Sequence, residues 1–140
     1  MILVVDSGAV YALFDADDTH HSAVRKIVDS HQGPLILPVA ILAEIDYLLL
    51  TNLGVQAELD FLNNLQEGAF TSEPFTAEDL GRCREIISQY QDLGLGLADA
   101  AVMATAERLR TLTVLTVDHR HFRAVVNKQG RPFRLLPADA

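Results

Sequence analysis

The chain has 140 residues, of which 49% are hydrophobic and 21% charged, and its formal net charge is −8 at pH 7. This length and composition favour one globular domain spanning residues 1–140 over a disordered chain. The negative charge argues against nonspecific binding to nucleic acid or to anionic membranes. No uncharged apolar run reaches the roughly 18 residues of a membrane span, so we expect no membrane association.

Two features of the sequence predict a cytoplasmic protein. The apolar run at residues 1–5 is followed directly by Asp6, without the basic leader or cleavage site of a signal peptide. Cys83 is the one cysteine, so no internal disulfide can form, which is typical of a reducing compartment.

The first half of the chain alternates between strand and helix patterns. Residues 2–5 form a continuous aliphatic run, which is typical of a strand buried on both faces. The predicted elements of this half are a strand at 2–5, helices at about 9–14 and 19–30, a strand at 35–37, and a helix with Pro38 in its first turn and Gly54 after its end.

The second half continues this alternation. Its predicted elements are a helix at 57–65, an extended segment at 70–75, helices at about 76–90 and from Leu97, a strand at 113–117, a short helix at 119–126 and a last strand at 133–136. The alternation predicts an α/β fold with a mainly parallel central sheet flanked by helices. In such sheets, ligands bind beyond the carboxyl ends of the strands.

Acidic residues recur at that edge of the predicted sheet. Asp6 follows the first strand, Asp118 follows the strand at 113–117, and Asp99 lies at the start of the helix before that strand. Glu44 and Asp46 both border the buried stripe of the third helix, and periodicity does not choose between them. Two carboxylates about 4 Å apart repel by about 4 kcal/mol at an effective dielectric constant near 20. Converging acids would therefore require a cation.

The type of ligand favours Mg²⁺, with Mn²⁺ as a second candidate, because both ions prefer carboxylate oxygens. Zinc is disfavoured, because Asp118-His119-x-His121 has no third His or Cys at a zinc-binding spacing. Each acid alone is equally consistent with a turn or a helix cap. Their recurrence at strand ends favours a metal site, and no GxSxG, GxxxxGK[ST] or GxGxxG motif offers other chemistry.

Four segments resemble the signature segments of PIN-domain ribonucleases, and most closely those of the VapC-type toxins of bacterial toxin–antitoxin pairs. They are Val4-Val5-Asp6-Ser7-Gly8, Pro38 followed by Ala43-Glu44-Ile45, Gly96-Leu97-Ala98-Asp99-Ala100-Ala101, and Leu115-Thr116-Val117-Asp118-His119-Arg120-His121-Phe122. The resemblance covers essentially the whole chain. It implies a three-layer PIN-like fold, Mg²⁺-dependent hydrolysis of RNA phosphodiester bonds, a cognate antitoxin and a homodimer.

The resemblance also implies roles for single residues. Asp6 and Asp99 would be the principal metal ligands. Glu44, rather than Asp46, and Asp118 would bind metal through water or orient the nucleophile. Two hydroxyl side chains match supporting positions of the family, and they are Ser7 and Thr116.

Candidate RNA contacts come from the distribution of charge. Residues 119–140 contain five basic residues and one acid, whereas residues 1–118 contain 6 basic and 18 acidic residues. A basic strip beside an acidic body suits a phosphate backbone held near a cation. The candidates in this strip are Arg120, Arg123 and Arg131.

Two other classes of function remain open. A catalytically silent PIN-like module could use the same acidic pocket to bind metal or a basic peptide. Phosphoryl transfer to Asp6 is the other class, but haloacid-dehalogenase phosphatases resemble a pattern with a second Asp two residues after the nucleophile, and that position is Gly8 here.

Overall fold

The structure is a computed structural model that describes residues 1–140. The seven α-helices are α1 (Ser7–Phe14), α2 (His21–Ser30), α3 (Leu42–Leu53), α4 (Val55–Gln66), α5 (Ala77–Gln89), α6 (Leu97–Arg108) and α7 (His119–Ala124). The five strands are β1 (Leu3–Val5), β2 (Leu35–Pro38), β3 (Thr71–Glu73), β4 (Thr113–Leu115) and β5 (Arg134–Leu136). Short 3₁₀ turns lie at Val39–Ile41 and Gln91–Leu93.

The five strands form one sheet in the order β3-β2-β1-β4-β5, and every pair is parallel. β1 is central, so Val4 lies beside Ile36 of β2 on one side and Val114 of β4 on the other. Every residue of β1 and β4 is buried, as expected of strands covered on both faces. The predicted α/β fold with a parallel sheet and flanking helices is confirmed.

Helix α6 packs against the centre of this sheet. Its residues from Ala100 to Ala106 are all buried, and four of these seven side chains are alanine. Small side chains let a helix approach the sheet closely, and α6 contacts both β1 and β2. The helix thereby presents its first turn at the carboxyl edge of the strands. No helix combines the length and the apolar character that a membrane crossing requires.

The predicted start of the third helix is wrong by one short turn. Pro38 is the last residue of β2, with φ −61° and ψ 129°, and α3 begins at Leu42 after a 3₁₀ turn. Proline fixes φ near −65°, a value that suits both an extended residue and a first helical turn. The presence of proline therefore does not determine whether residue 38 ends the strand or begins the helix. Gly54 ends α3 as expected, with a φ of 97° that disfavours other residues.

Candidate metal centre

Asp6 is anchored where β1 ends and α1 begins. Its backbone N–H donates to the carbonyl of Leu115 in β4, at 2.9 Å. Its carboxylate accepts hydrogen bonds from the Ser7 backbone N–H at 2.8 Å and from the Thr116 hydroxyl at 2.9 Å. The residue is only 4% exposed. Asp6 is therefore a buried carboxylate with a fixed orientation, and Ser7 contributes to that orientation through its backbone.

Thr116 joins the ends of the two central strands. Its hydroxyl donates to Asp6 Oδ2 and accepts a hydrogen bond from the Asp118 backbone N–H at 3.0 Å. The residue is completely buried, so water does not compete for these bonds. One hydroxyl therefore sets the position of an acid after β1 and of the backbone of a second acid after β4.

Asp99 and Asp118 meet at a histidine. Asp99 lies in the first turn of α6, and Asp118 is the N-cap of α7, where its carboxylate accepts a bond from the His121 backbone N–H. The His121 Nδ1 atom lies 3.1 Å from Asp99 Oδ2 and 3.0 Å from Asp118 Oδ2. Ligand atoms of these residues all lie within 4.8 Å of one another.

His121 is the site residue that the sequence analysis missed, because it considered this residue only as part of a zinc motif. The available signal is its spacing from Asp118. A side chain three residues after an N-cap residue can reach back toward that residue, as in a capping box. The second contact, to Asp99, depends on the tertiary fold that brings the start of α7 beside the first turn of α6, so local sequence does not predict it.

The structure separates Glu44 from Asp46. Glu44 is exposed in the first turn of α3, and its charge contributes to raising the pKa of Asp99. Asp46 instead lies beside Glu58 of α4, and its carboxylate raises the pKa of Glu58. The structure therefore places Glu44, rather than Asp46, in the electrostatic environment of Asp99.

Burial and mutual repulsion raise the pKa values of two acids of this site. Burial raises the pKa of Asp6 to about 6. The charges of Asp99 and Asp118 add to this rise, and the bonds from Thr116 and Ser7 oppose it. Burial also raises the pKa of Asp99, where the positive character of His121 opposes it and the charges of Asp118 and Glu44 reinforce it. No lysine or arginine forms an ion pair with these acids.

This donor set fits a hard divalent cation. Carboxylate oxygens of Asp99 and Asp118 meet at the starts of α6 and α7, and the charges of both acids act on Asp6 after β1. No lysine or arginine forms an ion pair that would balance them. A cation with oxygen ligands would offset both the burial of these carboxylates and their mutual repulsion, the two causes that raise the pKa values of Asp6 and Asp99. We call this group of residues, consisting of Asp6, Glu44, Asp99, Asp118 and His121, the acidic centre.

The three candidate arginines lie in different places. Arg120 is exposed on α7, two residues after Asp118. Arg123 binds Asp139 through two bonds of 2.8 and 2.6 Å. Arg131 precedes β5 and lines a cavity of about 380 Å³ with Arg110 and Leu112, at the amino ends of the strands. Only Arg120 and Arg123 therefore share the edge of the acidic centre.

The PIN domain family model matches residues 3–128, a range that contains all members of the acidic centre. The chain belongs to the PIN-domain family. The chain is also 38% identical to Ribonuclease VapC26 of Mycobacterium tuberculosis over 135 residues, which are 96% of this chain and 100% of that protein. This PIN domain is therefore of the VapC type, as the four sequence segments predicted.

Solved structures match the fold of this PIN domain. The crystal structure of M. tuberculosis VapC20, described as a sarcin-ricin loop cleaving toxin, has a TM-score of 0.75 at 19% identity, covering 80% of this chain and 86% of that one. A toxin–antitoxin complex from Klebsiella pneumoniae has a TM-score of 0.70 at 15% identity, covering 88% and 92%.

Proposed function

We propose that this protein is a Mg²⁺-dependent endoribonuclease that acts in the cytoplasm as the toxin of a toxin–antitoxin pair, with residues 1–140 as one functional domain. The observation that carries the proposal is the convergence of Asp6, Asp99 and Asp118 without a lysine or arginine partner. Membership of the PIN-domain family and the name of the 38% identical relative, a ribonuclease, support the same reaction.

In this proposal the four acids do not all have the same role. Asp6 and Asp99 hold the ion, since the bonds from Ser7 and Thr116 orient the buried Asp6 and the His121 contact orients the half-buried Asp99 before metal binds. Glu44 is more exposed and orients water in the outer part of the site, whereas Asp118, with a side chain 37% exposed, lies beside the ion. Mg²⁺, or Mn²⁺ in its place, would acidify the attacking water and stabilise negative charge on the phosphate. Ser7 and Thr116 support the site through their bonds to Asp6.

RNA would approach across α7. Arg120 has no ion-pair partner and lies on the helix that Asp118 caps, which suits a contact to an RNA phosphate. Arg123 could make such a contact only by leaving Asp139. Arg131 could contact only a part of the RNA that extends to the opposite edge of the sheet.

Exposed apolar side chains on α3 and α4 favour the binding of protein partners. Side chains spaced three or four residues apart form one stripe on each of α3 and α4, and the exposed members are Tyr47, Leu50, Leu53, Val55, Leu59 and Leu62. Contiguous apolar surface of this kind marks protein interfaces. We propose that such surfaces serve a homodimer and a cognate antitoxin, in keeping with the toxin–antitoxin complex among the structural neighbours.

Cleavage by protein purified free of any partner tests the proposal. Wild-type protein should cleave RNA with Mg²⁺ and stop when EDTA is added. Asp99→Asn should reduce the cleavage rate at least about 100-fold, because a ligand of the ion is lost. Asp29→Asn is the matched control, since Asp29 is an exposed acid on α2 that pairs only with Arg25.

Three outcomes separate the possible functions. Full activity of a folded Asp99→Asn variant would contradict the assignment of the site. Metal binding without cleavage of any RNA tested would support the catalytically silent module. A phosphorylated Asp6 trapped with a small phosphodonor would support phosphoryl transfer instead.

A further inference from the structure

His121 is the one nitrogen donor among the acids of the site. Its Nδ1 atom is within hydrogen-bond distance of two carboxylates that come from different helices, at 3.1 Å from Asp99 and 3.0 Å from Asp118. An ion that bound both of those carboxylates would therefore lie beside Nδ1. The other histidine of α7, His119, is exposed and has no such contact.

Three features of the structure restrict the position of the imidazole. Asp118 caps α7 and accepts a bond from the His121 backbone N–H at 3.4 Å, which sets the first turn of the helix. The next residue, Phe122, is buried and packs edge-to-face on Phe133, so α7 cannot rotate freely. The side chain of His121 is only 18% exposed. A donor held in this way has lost most of its mobility before any ligand arrives.

We propose that His121 Nδ1 is a direct metal ligand alongside Asp99 and Asp118, and that it makes the centre prefer first-row transition ions to Mg²⁺. This inference rests on the proposed metal-dependent function. Binding uses the lone pair of Nδ1, and the single proton of the neutral ring is then carried by Nε2, which makes no hydrogen bond within the protein. Imidazole raises the affinity for transition ions along the Irving–Williams order, whereas Mg²⁺ prefers oxygen ligands.

The alternative is a purely structural role, in which His121 only hydrogen-bonds to the two acids. His121→Asn distinguishes these roles, because asparagine places an amide near the position of Nδ1 and keeps a hydrogen-bond donor. His119→Asn is the matched control on the same helix. Circular dichroism and thermal unfolding would establish that both variants are folded.

The first measurement begins with the wild type. Mn²⁺ bound to protein that contains ¹⁵N-labelled histidine should show nitrogen modulation in pulsed electron paramagnetic resonance, shifted from the ¹⁴N frequency. The modulation should persist in His119→Asn and disappear in His121→Asn. Calorimetry should then show Co²⁺ affinity falling about 10-fold in His121→Asn, with Mg²⁺ affinity changing less than about 3-fold.

The outcomes distinguish this inference from the proposed function. Bound Mn²⁺ without histidine modulation in the wild type would overturn the role of His121, even if the protein cleaves RNA. An equal loss of Co²⁺ and Mg²⁺ affinity in His121→Asn would overturn the selectivity. Failure of the wild type to bind Mn²⁺ would overturn the metal centre itself and, with it, this inference.

Discussion

The two ends of α6 carry charges in opposite electrostatic situations. At the carboxyl end, Arg108 donates to Asp79 at 2.9 Å and to Glu73 at 2.7 Å, and Glu107 pairs with Arg82 at 2.9 Å. At the amino end, Asp99 faces other acids, and the one cationic side chain that contacts it is the His121 imidazole. One helix thus joins a balanced ion-pair network to an unbalanced acidic centre.

The pKa shifts express the same difference. The bonds from Arg108 lower the pKa of Asp79, although burial opposes them. Burial and neighbouring acids raise the pKa values of Asp6 and Asp99. The Asp79 charge stabilises the fold, whereas the charges of the acidic centre destabilise the metal-free fold. A protein retains such a cost where function requires it, as at a site that must attract a cation.

The largest expected effect on stability comes from breaking the ion-pair network at the carboxyl end of α6. Arg108→Ala leaves Asp79, which is 2% exposed, and Glu73 without their cation. We expect the free energy of unfolding to fall by about 3 kcal/mol, because breaking a buried ion pair leaves an uncompensated charge. Urea denaturation measures the change.

Arg25→Ala is the control for that experiment, since the Arg25–Asp29 pair is exposed on α2. It should change the free energy of unfolding by no more than about 0.5 kcal/mol. Equal effects of Arg25→Ala and Arg108→Ala would mean that the network at the carboxyl end of α6 is not structurally important.

Neutralising one buried acid in the acidic centre and one in the ion-pair network should change the free energy of unfolding in opposite directions. Asp6→Asn removes a charge whose pKa is raised from 3.8 to about 6, a shift worth about 3 kcal/mol. In EDTA at pH 7 we expect it to stabilise the protein by about 2 kcal/mol, and in Mg²⁺ it should abolish cleavage. Asp79→Asn should destabilise it by about 2 kcal/mol, because a charged hydrogen bond to Arg108 is lost. Destabilisation by both substitutions would refute the contrast.

The hydroxyl bridge at Thr116 should have a smaller effect on stability. Thr116→Val leaves Asp6 Oδ2 and the Asp118 backbone N–H without this partner, at a cost of about 1 to 2 kcal/mol. Mg²⁺ affinity should fall about 10-fold, because the acids lose a group that orients them. Thr116→Ser keeps the hydroxyl and is the control. Calorimetry that showed equal Mg²⁺ affinities for the two variants would exclude the bridge from metal binding.

Local patterns in the sequence were sufficient to predict the fold and the strand-end acids. A buried aliphatic run followed by an acid, as at Val5-Asp6, specifies both a strand and the edge on which the acid lies. Asp118 follows the same logic, although β4 ends at Leu115 and not at Val117. Beyond the strand, the Thr116 backbone N–H still donates to the carbonyl of Leu136 in β5 at 3.0 Å, and its hydroxyl binds Asp6.

Tertiary packing determines which of Glu44 and Asp46 lies near Asp99. It also determines which acids His121 contacts. Both acids border the same helix face, and only the position of α4 beside α3 gives Asp46 its partner, Glu58. The contact of His121 with Asp99 joins residues 22 positions apart, because the fold brings the start of α7 beside the first turn of α6. Helical periodicity describes one helix at a time, so it contains no information about either contact.

The smallest expected effect is the pH dependence of stability in EDTA. A carboxyl group with a raised pKa in the folded state binds its proton more tightly there than in the unfolded chain, so acidification stabilises the fold. For Asp6, with a pKa of about 6 against 3.8, lowering the pH from 7 to 5 should add about 1 kcal/mol. Asp79 opposes this change only at lower pH, because its pKa is lowered. Urea denaturation should show the gain in wild-type protein and its loss in Asp6→Asn, and an unchanged pH profile in that variant would assign the titration to another group.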